Sequence, residues 1–408
     1  MKALRFHNNM PRIIAAKLLG QFSSSAFVGT FAPIRYEETP EPTLPRPDWV
    51  KIRMRVAGIC GSDFKQIVLN GAWDNPMTAL VSFPHVLGHE AVGTIVEVGP
   101  AVKTLKVGDR VLVDPWLPCK TRGIDPVCSA CASGDFTLCQ NFDAGSLPAG
   151  IHLGNNAAVP GAFGERFVAH ESQCFVVPEN VSDEAAVLAD PFCVSFHSVL
   201  RAPPPDDTPV LVYGLGTLGL MAVAALKKLY PNVPVLAVGR HPHQNELAKK
   251  FGAQEVLVGK PHQIIERVGE ITGARALKPW RGLPWLQGGV SVVYDTVGSP
   301  QTVETGIRLA RSRGTVIVSG VEIPRRFEWT PIYFKEVAVT GSNAFAMESY
   351  EGARTHAMAL YLKMASEGLD VTSIITHRFP IGDWKKAFRT LSDRTSTGAV
   401  KVLLTGAT

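Results

Sequence analysis

The chain has 408 residues, enough for two domains that each bury a core without covalent staples. Its formal net charge of +5 is small for that length, and the Lys and Arg residues are scattered, so nothing in it points to nucleic acid. No apolar run approaches a bilayer-spanning length, and an odd count of 7 cysteines fits a reducing compartment better than a disulfide framework; a cytoplasmic location, with no membrane partner, is expected.

In chain order, "MKALRF" predicts a first β-strand. Residues 1–36 hold no Asp or Glu and include "QFSSSAF", the composition of a mitochondrial transit peptide. A presequence would precede such a strand, however, so "NNMPRIIAAKLLGQFSSSAFVG" is read as an insertion after it. Residues 45–115 are rich in Val and Gly, and the runs "WVKIRMRVAGIC", "HEAVGTIVEVG" and "DRVLVDP" predict short strands of a β-rich, barrel-like domain. From about residue 195 the pattern changes to strand then helix, beginning "PVLVYGLG" and "TLGLMAVAALKKLY", which builds a parallel sheet. After about Phe345, "SYEGARTHAMALYLKMASEG" and the strand "AVKVLLT" read as a return to the first domain. The expected divisions are therefore 1–194, 195–344 and 345–408.

The run "VLVYGLGTLGL" carries Gly214, Gly216 and Gly219 in GxGxxG spacing, after an apolar strand and at the opening of a helix. At such a turn the glycines let backbone approach a pyrophosphate, which sits at the positive helix N-terminus. An NAD-preferring site would carry an acid at the end of the next strand; here Gly239 stands there and Arg240 follows, so a 2′-phosphate meets no repulsion and has a guanidinium available. NADP(H) is expected over NAD(H).

Four of the cysteines, Cys119, Cys128, Cys131 and Cys139, lie close together in sequence. Four thiolates suit a closed tetrahedral zinc site, which fixes a loop and leaves no position for substrate. "CSAC" does not open a helix in a thioredoxin-like unit, which weighs against a redox motif. A second constellation, "AGICGSD" with "PHVLGHE", supplies Cys60, Ser62, Asp63, His89 and Glu90. Cys and His with a third group form a common catalytic zinc set that keeps one position open.

Through "GICGSD", "LGHEAVGTIVEVG", "VGDRV", "CSAC", "GAFGERF", "YGLGTLG", "VVYDTVGS" and "GAVKVLL", residues 45–404 resemble the zinc-dependent medium-chain dehydrogenase/reductase family of alcohol, sorbitol and threonine dehydrogenases. The resemblance implies an α/β protein with a GroES-like β-rich catalytic domain, an inserted Rossmann domain, and a homodimer or homotetramer. It implies catalytic zinc ligands at Cys60 and His89, with the third in "LADPFCVSFHSV". Asp190 takes the place of the Glu of polyol-type members, and Cys193 is the competing position. Glu90 is implied as a fourth ligand that exchanges with water, Asp63 as the carboxylate orienting His89, and Ser62 as the first proton relay. Leu218, Val297 and Lys401 are placed with the cofactor contacts, and a substrate pocket is expected around Phe64, Trp73, Phe83, His85, Asn343 and Phe345.

The chain also departs from that pattern. Six extra residues separate Cys119 from Cys128, Lys65 stands where many members carry a relay His, and "RALKPWRGLPWLQ" is an insert. The function expected is hydride transfer between NADP(H) and a secondary alcohol, a polyol or its carbonyl. The alternatives are a zinc-free quinone or enoyl reductase on the same fold, whose members lack the Cys/His pair and the cysteine lobe, and a catalytically silent nucleotide-binding protein.

Overall fold

A computed structural model describes residues 1–71, 75–205, 208–322 and 326–406. The chain divides into two compact units, Met1–Asp190 with Ser349–Thr408, and Pro191–Glu348. The first division falls inside the helix Ala189–Arg201, somewhat earlier than expected from sequence, and the return comes at Ser349.

The first unit is built on a seven-stranded sheet. Its long strand Trp49–Gly58 pairs antiparallel with Glu90–Val98, Arg166–His170 and Lys401–Thr405. Alternation sets its faces: Ile52, Met54 and Val56 are buried, whereas Arg53 and Arg55 point to water. The register puts Gly58 opposite both Glu90 and Leu403, so three strands converge where the chain leaves the sheet at Cys60. Trp49, Ile52, Phe163, Phe167 and Phe388 are among the side chains filling the core.

"MKALRF" forms the strand Lys2–Phe6, paired with Ile34–Glu38 and His85–Val86. Between the first two lies the N-terminal insertion, folded as the helix Met10–Gly20 and a 3-10 turn at Ser24–Val28. Asn9 caps that helix by accepting a hydrogen bond from the Arg12 N–H at 3.2 Å.

The second unit contains a six-stranded parallel sheet in the order Glu255–Leu257, Val235–Val238, Val210–Tyr213, Val290–Asp295, Ala310–Val318, Ala338–Gly341. In chain order that is 3-2-1-4-5-6, the Rossmann arrangement, in which the order reverses between the first and fourth strands. "VLVY", "VLAV" and "VSVVYD" are buried throughout, as strands covered on both faces must be. The later insert forms a β-hairpin, Arg275–Leu277 against Trp285–Gln287, with Trp280 fully exposed in its turn. Among the described residues no helix is long and apolar enough to cross a membrane.

Candidate active site

Cys60 leaves the sheet and becomes the N-cap of the helix Gly61–Ile67. That places Asp63 in the first turn, where its Oδ2 accepts a hydrogen bond from the Cys60 backbone N–H at 3.0 Å. Its Oδ1 accepts from the Gly88 N–H at 3.3 Å and lies 3.4 Å from Nδ1 of His89. Burial opposes charge on Asp63, but the His89 ring and the Cys60 N–H hold its pKa below the ordinary carboxylate value. For His89 burial again opposes charge, and Asp63 and Cys60 overcome it, lifting the ring well above an ordinary histidine.

Donor atoms of Cys60, His89 and Glu90 all lie within 4.8 Å of one another. The residues present fit a cation. Thiol, imidazole and carboxylate are a common zinc donor set, and Asp63 lies 3.4 Å from Nδ1 of His89, the placement of a carboxylate that orients a metal-bound imidazole. Glu90 is buried beside a second buried acid, Asp190, whose carboxyl is held well above its ordinary value by burial, with His89 opposing, Glu90 adding to the rise and Lys401 opposing. Asp190 lies outside the three-donor set, and Cys193 is buried in the second unit.

Lys401 corrects the sequence reading. Its ammonium is buried, pairs with the Glu90 carboxylate and lies 3.3 Å from the Ile59 carbonyl, which leaves it no surface for a nucleotide. The same pair explains Gly58: a Cβ there would lie 1.9 Å from Oε2 of Glu90 and 2.9 Å from Cε of Lys401. Ser62 is exposed on the first turn of the Gly61–Ile67 helix, and the cap itself is Cys60.

Of the expected pocket residues, Phe83 and His85 stand 5.1 Å apart, and Phe64 lies under the Arg394 guanidinium at 5.9 Å. His85 is buried and its pKa is pushed down to about 4, chiefly by that burial. Phe345 is buried within the second unit, which also holds Asn343, and Trp73 lies outside the described residues. Sequence reasoning missed His152, whose ring centroid is 4.7 Å from that of His89. Burial and the His89 charge push it down to about 3. A single histidine in a Gly- and Asn-rich loop offers no motif by which to find it.

The four remaining ligand candidates also come together, with Cys119, Cys128, Cys131 and Cys139 donors within 4.8 Å of one another. Sγ of Cys139 is 3.6 Å from that of Cys119 and 3.9 Å from that of Cys128. Those separations match the edge of about 3.8 Å in a tetrahedron with metal–sulfur bonds of about 2.3 Å. N–H groups are aimed at the sulfurs: Cys128 N and Asn141 Nδ2 at Cys119, Gln140 N at Cys128, Asn141 N at Cys139. Such donors favour thiolates. The extra residues after Cys119 are held by buried Arg122, whose guanidinium donates to the carbonyls of Leu117, Ala144, Leu147, Pro148 and Gly150 at 2.5–3.2 Å.

In the second unit the glycine motif forms the turn between the strand Val210–Tyr213 and the helix Thr217–Leu229. Gly214 has φ +90°, open to glycine, and a Cβ on it would lie 2.5 Å from Cγ2 of Val297, so those two expected contacts are neighbours. A Cβ on Gly219 would lie 1.7 Å from the Gly214 carbonyl oxygen, whereas one on Gly216 would meet nothing within 4 Å. Gly216 is the N-cap and supplies no side chain to the first N–H groups, leaving them to a ligand. The Leu218 carbonyl accepts from Oγ of Ser195 at 2.8 Å. Gly239 is buried at the end of the second strand, and a Cβ on it would lie 2.0 Å from Oδ1 of Asn245. Arg240 is exposed, with no hydrogen bond or ion pair among the described residues.

Residues 46–179 match the family described as Alcohol dehydrogenase GroES-like domain, and residues 217–359 match Zinc-binding dehydrogenase. The chain is 31% identical over 295 residues to a sorbitol dehydrogenase of Bacillus subtilis, covering 71% of this chain and 74% of that protein. It is 29% identical over 380 residues to a protein described as probable D-xylulose reductase A of Arthroderma otae, covering 91% and 94%. Its fold matches the crystal structure of 2R,3R-butanediol dehydrogenase from Bacillus subtilis with a TM-score of 0.72 at 25% identity, over 100% of this chain and 99% of that one. The chain belongs to the zinc-dependent medium-chain dehydrogenase/reductase family.

Proposed function

We propose that this oxidoreductase moves hydride between NADP(H) and a secondary alcohol or polyol, or the corresponding carbonyl. The observation that carries the reading is the convergence of Cys60, His89 and Glu90 within one ion's reach, apart from a four-thiol set that suits a structural metal. Cys60, His89 and one or both of Glu90 and Asp190 would hold zinc, which would supply the Lewis acidity that lowers the pKa of an alcohol hydroxyl.

The chain's own residues do the rest. Asp63 orients His89 and fixes the backbone of Cys60 through separate carboxylate oxygens. Ser62, exposed one helical residue on, takes the hydroxyl proton toward solvent. The Gly214–Gly219 turn holds the pyrophosphate on the helix Thr217–Leu229, and Arg240 takes the 2′-phosphate. The relatives' printed activities, on sorbitol, D-xylulose and butanediol, support a polyol-type substrate.

Self-association through the sheet edge Ala338–Gly341 fits the surface around it. That strand ends the parallel sheet, and Trp329, Tyr333, Phe334 and Val339 near it in sequence are exposed. A homodimer or homotetramer is the assembly proposed. The test of function is a panel of secondary alcohols, polyols, aldehydes and ketones assayed with each dinucleotide. Turnover of polyols with NADP⁺ well above that with NAD⁺ is expected; preference for NAD⁺, or reduction of quinones alone, contradicts the reading.

A further inference from the structure

His152 has no task in the chemistry above. Its ring lies 4.7 Å from the His89 ring and meets the edge of Trp116 at 5.9 Å. Nδ1 is 2.5 Å from the Leu153 carbonyl oxygen, which only accepts, so the hydrogen of the ring sits on Nδ1 and Nε2 presents a lone pair. The ring is half-buried, and among the described residues Nε2 has no hydrogen-bond partner.

The other polar groups that sense its charge are committed. His85 donates through Nδ1 to the Ser82 carbonyl at 2.9 Å, and its Nε2 is bonded to Gln66 at 2.7 Å. Asp63 serves Cys60, Gly88 and His89. Nε2 of His152 is thus an acceptor left beside a ring of the proposed metal set.

We propose that His152 is a specificity residue for vicinal diols, its Nε2 accepting a hydrogen bond from the hydroxyl on the carbon next to the one being oxidised. The inference rests on the polyol reading of this site. A vicinal diol sets its two oxygens a hydrogen-bond length apart, so with one at the ligand set beside His89 the other comes within reach of the neighbouring ring. A mono-alcohol leaves the nitrogen without a partner in a partly desolvated place, and sites built to bond a substrate hydroxyl reject analogues lacking it.

The experiment compares butane-2,3-diol with butan-2-ol, as substrates with NADP⁺ and as ligands in calorimetry of the zinc-loaded protein without dinucleotide. His152→Phe keeps a ring against His89 and removes the acceptor; His152→Gln restores a polar atom. The diol-to-mono-ol ratio of kcat/KM is expected to fall about tenfold in His152→Phe and to recover to within about threefold of wild type in His152→Gln. The ratio of binding constants follows the same pattern. Equal losses for both compounds, or an unchanged ratio, overturn the inference and leave His152 a packing residue. A diol preference in binding that depends on His152, in a protein that turns over neither compound, upholds it while the oxidoreductase reading fails.

Discussion

The carboxylate of Asp63 touches both proposed ligands at once: Oδ1 lies 3.4 Å from Nδ1 of His89, and Oδ2 accepts the Cys60 N–H at 3.0 Å. Removing its charge while keeping its shape loosens both. Asp63→Asn is expected to weaken zinc at this site by about 10–100-fold, read by competition with a chromogenic chelator. An unchanged affinity would mean that Asp63 serves only the helix Gly61–Ile67.

Arg122 makes a second point of attack, because its guanidinium is fully buried and satisfies five carbonyls around the cysteine lobe. Arg122→Met removes that donor from the carbonyls of Leu117, Ala144, Leu147 and Gly150, Pro148 keeping its bond from Asn156 Nδ2 at 2.7 Å, and an unsatisfied buried group costs about 1–3 kcal/mol. Stability by denaturant titration is expected to fall by at least about 3 kcal/mol, with loss of the zinc held by Cys119, Cys128, Cys131 and Cys139. A drop too small to measure would contradict the role given to Arg122.

Acid is expected to destabilise the fold through two histidines. His85 is held down to about 4 and His152 to about 3, in both cases chiefly by burial. Above their unfolded value of about 6.5 the folded and unfolded chains bind the same protons at these sites, so there is no penalty. Below it the unfolded chain takes up protons that the folded chain refuses, so stability falls as pH drops from about 6.5 toward about 4. The slope from urea titrations in that window is expected to lessen in His85→Gln; a stability that rises on acidification would reverse the sign of the argument.

Arg240 is exposed and unpaired among the described residues, which suits a cation reserved for a ligand. Arg240→Ala is expected to lower NADPH affinity about tenfold or more, the worth of a charge-assisted bond, with little effect on NADH. Fluorescence titration with both dinucleotides measures it. An unchanged ratio removes the basis for NADP(H).

What could be read from sequence was what local chemistry dictates. The Gly214, Gly216, Gly219 turn follows from spacing, because steric contacts there act within a few residues, and the buried strands "VLVY" and "VSVVYD" follow from apolar runs. Cys119 was the least constrained of the four thiols because its extra loop has no regular spacing; the buried Arg122 that holds that loop carries no pattern in one dimension. Lys401 was misassigned for a related reason. Its partner Glu90 is 311 positions away, on a strand reached only by folding, and a charge next to an apolar run reads locally as surface. His152 escaped because its meaning depends on the ring of His89 rather than on its neighbours in sequence.

The central claim is that Cys60 and His89 share one catalytic cation. Zinc content per folded chain, measured for wild type and Cys60→Ala with turnover recorded on the same samples, tests it most directly. The account predicts about two zinc ions per wild-type chain, about one in a folded Cys60→Ala protein, and turnover lost with the missing ion. Full turnover by Cys60→Ala, or by wild type stripped of metal, would contradict it.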